Sequence, residues 1–260
     1  MLEGKTIVVT GVSSGIGQET AAELQRQGAR VIGVDRNPSD ECDEFHQVDL
    51  TDPAAIDQLV SALPDGVNGL CNIAGLPPTA PAEAVITVNV LALRRLSEAL
   101  APKIADGGAI THLASLAGIG WPDAVDQVKE TLALDYGDDV AAFCAAHNLD
   151  QDGRSYFLSK EAVQVYTMKN RWTWRDRGIR MNCVSPGPVD TPILPDFIET
   201  LGARAEEDMK IMDRPGHPTD IAPVVAFLQS DGSKWFRGAN LTSDGGMSSH
   251  ILMNMQGIEG

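Results

Sequence analysis

The sequence predicts an α/β fold built on a doubly wound parallel sheet, and three observations predict it. Thr6-Ile7-Val8-Val9-Thr10 is a continuous β-branched run bounded by Gly11, the pattern of a strand buried on both faces. Residues 17–27 then turn to helical spacing, with Ala21, Ala22 and Leu24 set among Glu, Gln and Arg, and Gly28 ends the run. Arg30-Val31-Ile32-Gly33-Val34-Asp35 reads as a second strand and completes a βαβ unit. Further strand-like runs at 45–48, 69–73, 109–113, 179–184 and 239–242, with helical stretches between most of them, carry the alternation through the chain.

Two connections break the rhythm. The segment 36–44 contains Pro38 and is short for a crossover helix, so a trimmed loop is expected. Residues 117–154 form a long acidic stretch in which Val125, Val128, Leu132, Leu134, Val140 and Phe143 fall at loosely helical spacing. A pair of inserted short helices is expected there. The rest reads as one domain over 1–260, without internal repeats or low-complexity tracts.

Composition narrows the function classes. With 260 residues, 43% hydrophobic, the chain can bury one sizeable core. A net charge of -16 repels phosphate backbones and anionic lipid surfaces, so neither nucleic acid nor membrane is an expected partner. Cys42, Cys71, Cys144 and Cys183 are far apart, as are His46, His112, His147, His217 and His250, and no ligand spacing emerges, so no metal is expected. Reduced thiols, no signal-peptide pattern in Met1-Leu2-Glu3-Gly4-Lys5 and no membrane-span-length apolar segment together predict a cytoplasmic setting.

Gly11-Val12-Ser13-Ser14-Gly15-Ile16-Gly17 joins the first strand to the first helix. Glycines there allow close backbone approach, and the helix amino terminus offers unpaired N–H groups and partial positive charge to a diphosphate. Glycine turns also join strands to helices for structural reasons alone, so the strand-loop-helix context carries the argument. Asp35 ends the second strand, 24 positions after Gly11, where a carboxylate can accept from ribose hydroxyls and repel a 2′-phosphate. That favours NAD; a capping role for Asp35, and room for NADP beside Arg36, stay open. Tyr156 and Lys160, one helical turn apart, share a helix face, and a cation beside a phenol stabilises phenolate. Taken alone, such a pair is more often a surface coincidence.

The chain as a whole resembles the short-chain dehydrogenase/reductase family. The resemblance runs from about Lys5 to Gly246 and rests on the glycine loop, Asp49, Asn72-Ile73-Ala74-Gly75, Asn89, Ser115, Tyr156 with Lys160, Pro186-Gly187 followed by Thr191, and Asp244-Gly245-Gly246. It implies a Rossmann-like single NAD-binding dehydrogenase domain, with Tyr156 as acid/base, Ser115 orienting the substrate oxygen, Lys160 holding the nicotinamide ribose and tuning Tyr156, and Asn89 supporting a water in a proton relay. For the cofactor it implies Asp49 and Leu50 near the adenine, Asn72, Ala74 and Gly75 along its edge, and Pro186, Gly187, Val189 and Thr191 over the nicotinamide side. Structural readings stand beside these: a turn serine at Ser115, a satisfied polar residue at Asn89, a cap at Asp49 and a strand brace at Asn72.

Within the family, Gly33-Val34-Asp35-Arg36-Asn37, the segment 69–75, Arg180-Met181-Asn182-Cys183 and the Pro186-Gly187-Pro188-Val189 stretch resemble the branch of coniferyl-alcohol dehydrogenases and 3α-hydroxysteroid dehydrogenase/carbonyl reductases. Ser115 and Tyr156 lie 41 positions apart, more than in most members, so the serine leans on strand context. An insertion at that point bears on subunit contacts, and a homodimer is the expected assembly. The substrate pocket is expected to be framed by the insertion, by Trp121 and by an apolar lid over 192–215 that holds Ile193, Leu194, Phe197, Ile198, Leu201, Met209, Ile211 and Met212. A neutral hydrophobic alcohol or carbonyl suits such walls, which do not choose between an aromatic and an alicyclic shape; the resemblance implies an aromatic-allylic alcohol such as coniferyl alcohol first and a hydroxysteroid second. An NAD(H)-sensing protein without turnover is the alternative of another class, and the Ser115, Tyr156 and Lys160 set speaks against it.

Overall fold

The β-branched runs become the strands of one parallel sheet in the computed structural model, which describes residues 1–202 and 210–258. The strands are β1 (Thr6–Thr10), β2 (Arg30–Asp35), β3 (Glu44–Gln47), β4 (Val67–Asn72), β5 (Ile104–Leu113), β6 (Arg180–Pro186) and β7 (Asn240–Ser243), in the order β3-β2-β1-β4-β5-β6-β7. The helices are α1 (Gly15–Arg26), α2 (Pro53–Ala62), α3 (Ala82–Ile86), α4 (Leu93–Leu100), α5 (Val125–Ala133), α6 (Val140–Ala146), α7 (Arg154–Lys169) and α8 (Leu194–Leu201), followed by Pro218–Gln229 and Met247–Met255. The strand order reverses between β1 and β4, and in open α/β sheets the crevice at such a point, outside the carboxyl strand ends, is where ligands bind.

β1 shows why the run had to be continuously apolar. Ile7 and Val9 pack with Leu24 of α1 and with Ile221 and Val225 of the helix Pro218–Gln229, whereas Val8 points through the sheet to Ile56, Leu59, Leu96 and Ile110. Successive side chains alternate between faces, and both faces are covered. α2 begins where Asp52 accepts from the Ala54 N–H at 2.8 Å with Pro53 in the first turn, so cap and first-turn proline agree.

β2 and β3 pair in parallel without a helix between them. The connecting loop lies against β2, because Asp43 accepts from the Val31 N–H at 2.8 Å and a Cβ on Gly33 would meet Cys42 Sγ at 2.5 Å. β5 begins at Ile104, ahead of the 109–113 run. Gly107 and Gly108 interrupt the apolar alternation there, and the β4 pairing shifts register between Val67 and Gly69.

The insertion is helical. After a 3-10 segment (Leu116–Asp123), α5 and α6 fold onto α3 and α7 around a third core of Ala82, Ile86, Val128, Cys144, Leu149 and Leu158. Tyr136, between α5 and α6, donates its hydroxyl to the Leu50 carbonyl at 3.0 Å. All four cysteines are free thiols. No helix among the described residues is long and apolar enough to cross a membrane.

Candidate active site

The first cavity, about 250 Å³, opens at the carboxyl ends of β1, β2 and β4. Gly11, Ser13, Ser14, Gly15, Ile16 and Gly17 form one wall. Gly11 has φ +82°, and a Cβ there would lie 2.9 Å from the Ala74 nitrogen; a Cβ on Gly17 would fall 2.0 Å from the Gly11 carbonyl oxygen. A side chain at Gly11 would collide with the backbone of the loop after β4, and one at Gly17 would push α1 off the end of β1. Ser14 ends the loop in extended conformation without a side-chain cap, and the first turn of α1 holds no acidic residue. The first-turn N–H groups are thus left for an outside acceptor, which suits an anion.

Asp35 stands at the rim, its two carboxylate oxygens accepting from the Ser13 and Asn37 N–H groups at 3.1 and 2.9 Å. Arg36, Asp49, Leu50, Ala74, Gly75 and Thr191 line the same cavity. The N–H and hydroxyl of Thr51, at 2.9 and 2.8 Å, hold the Asp49 carboxyl below the usual range, with Arg36 adding to the effect. An uncapped helix terminus, a glycine cradle that Cβ atoms would fill and a rim carboxylate fit a dinucleotide, with diphosphate against α1 and adenosine between Asp35 and Leu50.

Asn72 does not line this cavity. It is buried, and its amide donates to Ser97 Oγ at 2.9 Å and pairs with His112 Nδ1 at 3.1 Å, the bracing alternative of the sequence reading. Its neighbours Ile73 and Ala74 are instead held by Thr10, whose hydroxyl accepts from both N–H groups at 3.0 Å. The sequence reading placed Thr10 at the end of the first strand, beside the glycine loop, but gave it no role.

A second cavity, about 330 Å³, adjoins the first, and Ile16, Gly75, Leu76, Leu113 and Thr191 line both. Ser115, Tyr156 and Lys160 meet in its wall, and Pro186, Gly187 and Val189 line it too. Ser115 follows the end of β5 and accepts from the Ala117 N–H at 3.1 Å as the cap of the 3-10 segment, which leaves its own proton to donate. Lys160 Nζ donates to the Leu113 carbonyl at 2.9 Å and stands 5.5 Å from the Tyr156 ring centroid. Both side chains are buried. Burial pushes the Lys160 ammonium down to about 8, while the Cys183 thiol beside it works the other way. Burial raises the Tyr156 phenol, and the hydrogen bond with the Ser115 hydroxyl lowers it.

Asn89 sits in a π-helical turn (Thr87–Ala92), an irregularity the periodicity did not reveal. Its Oδ1 accepts from the Leu76 N–H at 2.8 Å, and its amide donates to the Leu76 carbonyl at 3.2 Å and Ser159 Oγ at 3.1 Å. The side chain is consumed in pinning the loop after β4. Gln164, one turn beyond Lys160, donates to the Ser115 carbonyl at 3.0 Å and Ser185 Oγ at 3.1 Å, so the strand-end serine is located from α7. The four-residue spacing 156, 160, 164 was the signal available for it.

Ile193, just ahead of α8, and Leu194, Phe197, Ile198 and Leu201 of α8 cover the second cavity. Phe197 meets Tyr156 edge to face, ring centroids 4.8 Å apart. Asp196 accepts a short hydrogen bond from the Thr79 hydroxyl, tying α8 to the loop after β4. The remainder of the expected lid divides: 203–209, including Met209, lie outside the described residues, Ile211 is half exposed, and Met212 packs against Gly245. Trp121 is not in the wall; Ile119 and Gly120 of the same 3-10 segment are.

Chemically, the junction offers a phenol that can exchange a proton, a cation beside it that favours the phenolate form, a hydroxyl donor and an adjoining dinucleotide-shaped cleft.

Comparison with known proteins identifies the family. The family described as short chain dehydrogenase matches residues 5–125, and that described as Enoyl-(Acyl carrier protein) reductase matches 140–248. The chain is 43% identical to the coniferyl-alcohol dehydrogenase of Pseudomonas sp. (strain HR199 / DSM 7063), over 95% of this chain and 98% of that protein. It is 28% identical to the 3-alpha-hydroxysteroid dehydrogenase/carbonyl reductase of Comamonas testosteroni, over 93% and 95%. The crystal structure of the 3-alpha-hydroxysteroid dehydrogenase from Pseudomonas sp. B-0831, complexed with NADH, superimposes with a TM-score of 0.81 at 30% identity, covering 95% of this chain and 98% of that one. With sequence identity and fold in agreement along nearly its whole length, the chain belongs to the short-chain dehydrogenase/reductase family of oxidoreductases, whose fold binds a nicotinamide cofactor.

Proposed function

We propose that the protein is an NAD-dependent alcohol dehydrogenase that interconverts an aromatic-allylic alcohol, of which coniferyl alcohol is the model, and its aldehyde. The observation that carries the reading is the meeting of Ser115, Tyr156 and Lys160 where the dinucleotide-shaped cleft opens into an apolar cavity. Bound nicotinamide supplies the hydride acceptor. Ser115 donates to the substrate oxygen, Tyr156 takes the hydroxyl proton, and the Lys160 ammonium stabilises the phenolate form of Tyr156. Phe197 and α8 keep water from the junction.

NAD rather than NADP is supported by Asp35 and Asp49, two carboxylates in the wall where an adenosine ribose would lie, against the single guanidinium of Arg36. The aryl substrate is supported by the relative at 43% identity and by an apolar wall containing Phe157 and Phe197. A hydroxysteroid is the second reading, favoured by the likeness to the two hydroxysteroid dehydrogenases.

The test is NADH appearance with purified protein and a panel of coniferyl and cinnamyl alcohols, 3α-hydroxysteroids and simple cyclic alcohols, repeated with NADP. Preferential turnover of the aryl-allylic members with NAD is expected. Preference for steroids transfers the assignment to the second reading, and equal rates with NADP overturn the cofactor choice.

A further inference from the structure

Glu161 follows Lys160 on α7, and the chemistry above does not use it. Its side chain is 5% exposed and held bidentately by Arg154, Nη1 to Oε1 at 2.9 Å and Nη2 to Oε2 at 2.7 Å; Arg154 Nη2 also donates to Gln127 Oε1 of the insertion at 2.7 Å. Glu161 nonetheless lines the substrate cavity, and among the described residues it is the one carboxylate that does. Away from Ser115, Tyr156, Lys160 and Thr191 the wall around it is apolar, with Leu116, Ile119, Phe157, Phe197 and Ile198.

A buried ion pair is a poor stabilising device, since an apolar pair of similar volume often serves as well or better. Arg154 and Glu161 also border an outer hollow beside Gln127, but the substrate wall is where Glu161 can offer an acceptor to a bound molecule. Geometry says which part of the substrate it faces. Tyr156 and Lys160 form one ridge of α7, and Phe157 and Glu161 form the neighbouring ridge, displaced by one residue or about 100° around the helix. The first ridge meets the reacting oxygen; the second is left for the ring and what the ring carries. Gly120 keeps the approach open, for even a Cβ there would lie only 3.3 Å from Glu161 Oε1. Arg154 occupies one acceptor position on each carboxylate oxygen, which leaves others free.

We propose that Glu161, held by Arg154, is a specificity-determining residue that accepts a hydrogen bond from a hydroxyl at the end of the substrate remote from the carbon that is oxidised. The substrate is then a phenolic aryl-allylic alcohol, and a ring without a donor is selected against. The assignment rests on the aryl-alcohol reading above.

The test compares kcat/KM for coniferyl alcohol, its 4-O-methyl ether and cinnamyl alcohol. Wild-type protein is expected to prefer coniferyl alcohol over both others by about tenfold or more, the usual weight of a hydrogen bond to a charged group. The ether keeps the ring and its oxygen but lacks the proton, so this arm needs no variant. In the double variant Arg154→Leu, Glu161→Leu, which leaves no buried charge unpaired, the ratio of coniferyl alcohol to ether is expected to fall to near one. A wild type that does not discriminate, or a double variant that keeps the ratio, overturns the role of Glu161 and leaves the aryl-alcohol reading standing. Turnover of none of the three overturns both.

Discussion

Tyr156 and Lys160 both sit where burial works against their charged forms, and that conflict makes their roles measurable one residue at a time. Tyr156→Phe keeps the ring against Phe197 and removes the proton acceptor. Alcohol oxidation should fall by at least about 100-fold, the lower range for a positioned general base, while NADH binding followed by fluorescence stays near wild type. Retention of most activity would reassign the base. Lys160 gives a signature in stability. Its ammonium is lowered from 10.5 to about 8 in the folded, cofactor-free protein, so between those values the unfolded chain binds more protons and stability rises with pH. The charged lysine is thus a burden below about pH 8 that disappears above about 10.5. Lys160→Met should stabilise the cofactor-free protein at pH 7 by up to about 3 kcal/mol, less about 1 kcal/mol for the lost bond to the Leu113 carbonyl. Melting curves should show the gain shrinking as pH climbs through that window, and a pH-independent difference would count against the lysine's low value.

The elements differ in how far the sequence disclosed them. β1 and β2 were legible to the residue, because a strand covered on both faces needs an unbroken apolar run and nothing local competes with it. α5 and α6 were legible as an apolar rhythm, but their docking was not. Tyr136 lies 86 positions from Leu50, yet its hydroxyl reaches the Leu50 carbonyl and ties the insertion to the adenosine end of the cofactor cleft. Tyr136→Phe should therefore weaken NADH and ADP-ribose binding about fivefold, one ordinary hydrogen bond, with kcat little changed. A change in kcat with unaltered ADP-ribose affinity would show that Tyr136 serves the active site by another route. The π-helical turn at Thr87–Ala92 left no trace in the periodicity, because Val85, Ile86, Val88, Val90, Leu91, Ala92 and Leu93 are all buried and form no one-sided stripe whose shift could be read.

At the scale of the whole molecule, acid should unfold this protein in part through one residue under the sheet. His112 is fully buried on β5, its Nε2 has no partner, and burial lowers it from 6.5 to about 3. Its folded value is depressed, so the unfolded chain binds the extra proton; the stability it supports is complete above pH 6.5 and is lost as pH falls towards 3. That window is worth roughly 5 kcal/mol at most. His112→Gln should flatten the fall in denaturation midpoint over the same range, and a wild-type slope in the variant would place the acid sensitivity elsewhere. By itself the amino-acid sequence determined the doubly wound sheet, the glycine loop with Asp35, the order of the family's motifs and the helical nature of the insertion. Each of these is written in local spacing, in backbone conformations that few residues tolerate, or in residue types that keep their order along the chain. Only the tertiary structure decided that Asn72 braces rather than faces the cleft, that Asn89 pins Leu76, that Ile119 rather than Trp121 reaches the substrate cavity, and that Arg154 secures Glu161 in its wall. Those outcomes depend on which way a side chain points once distant segments have packed, and packing is a property of pairs of segments that no single stretch of sequence records.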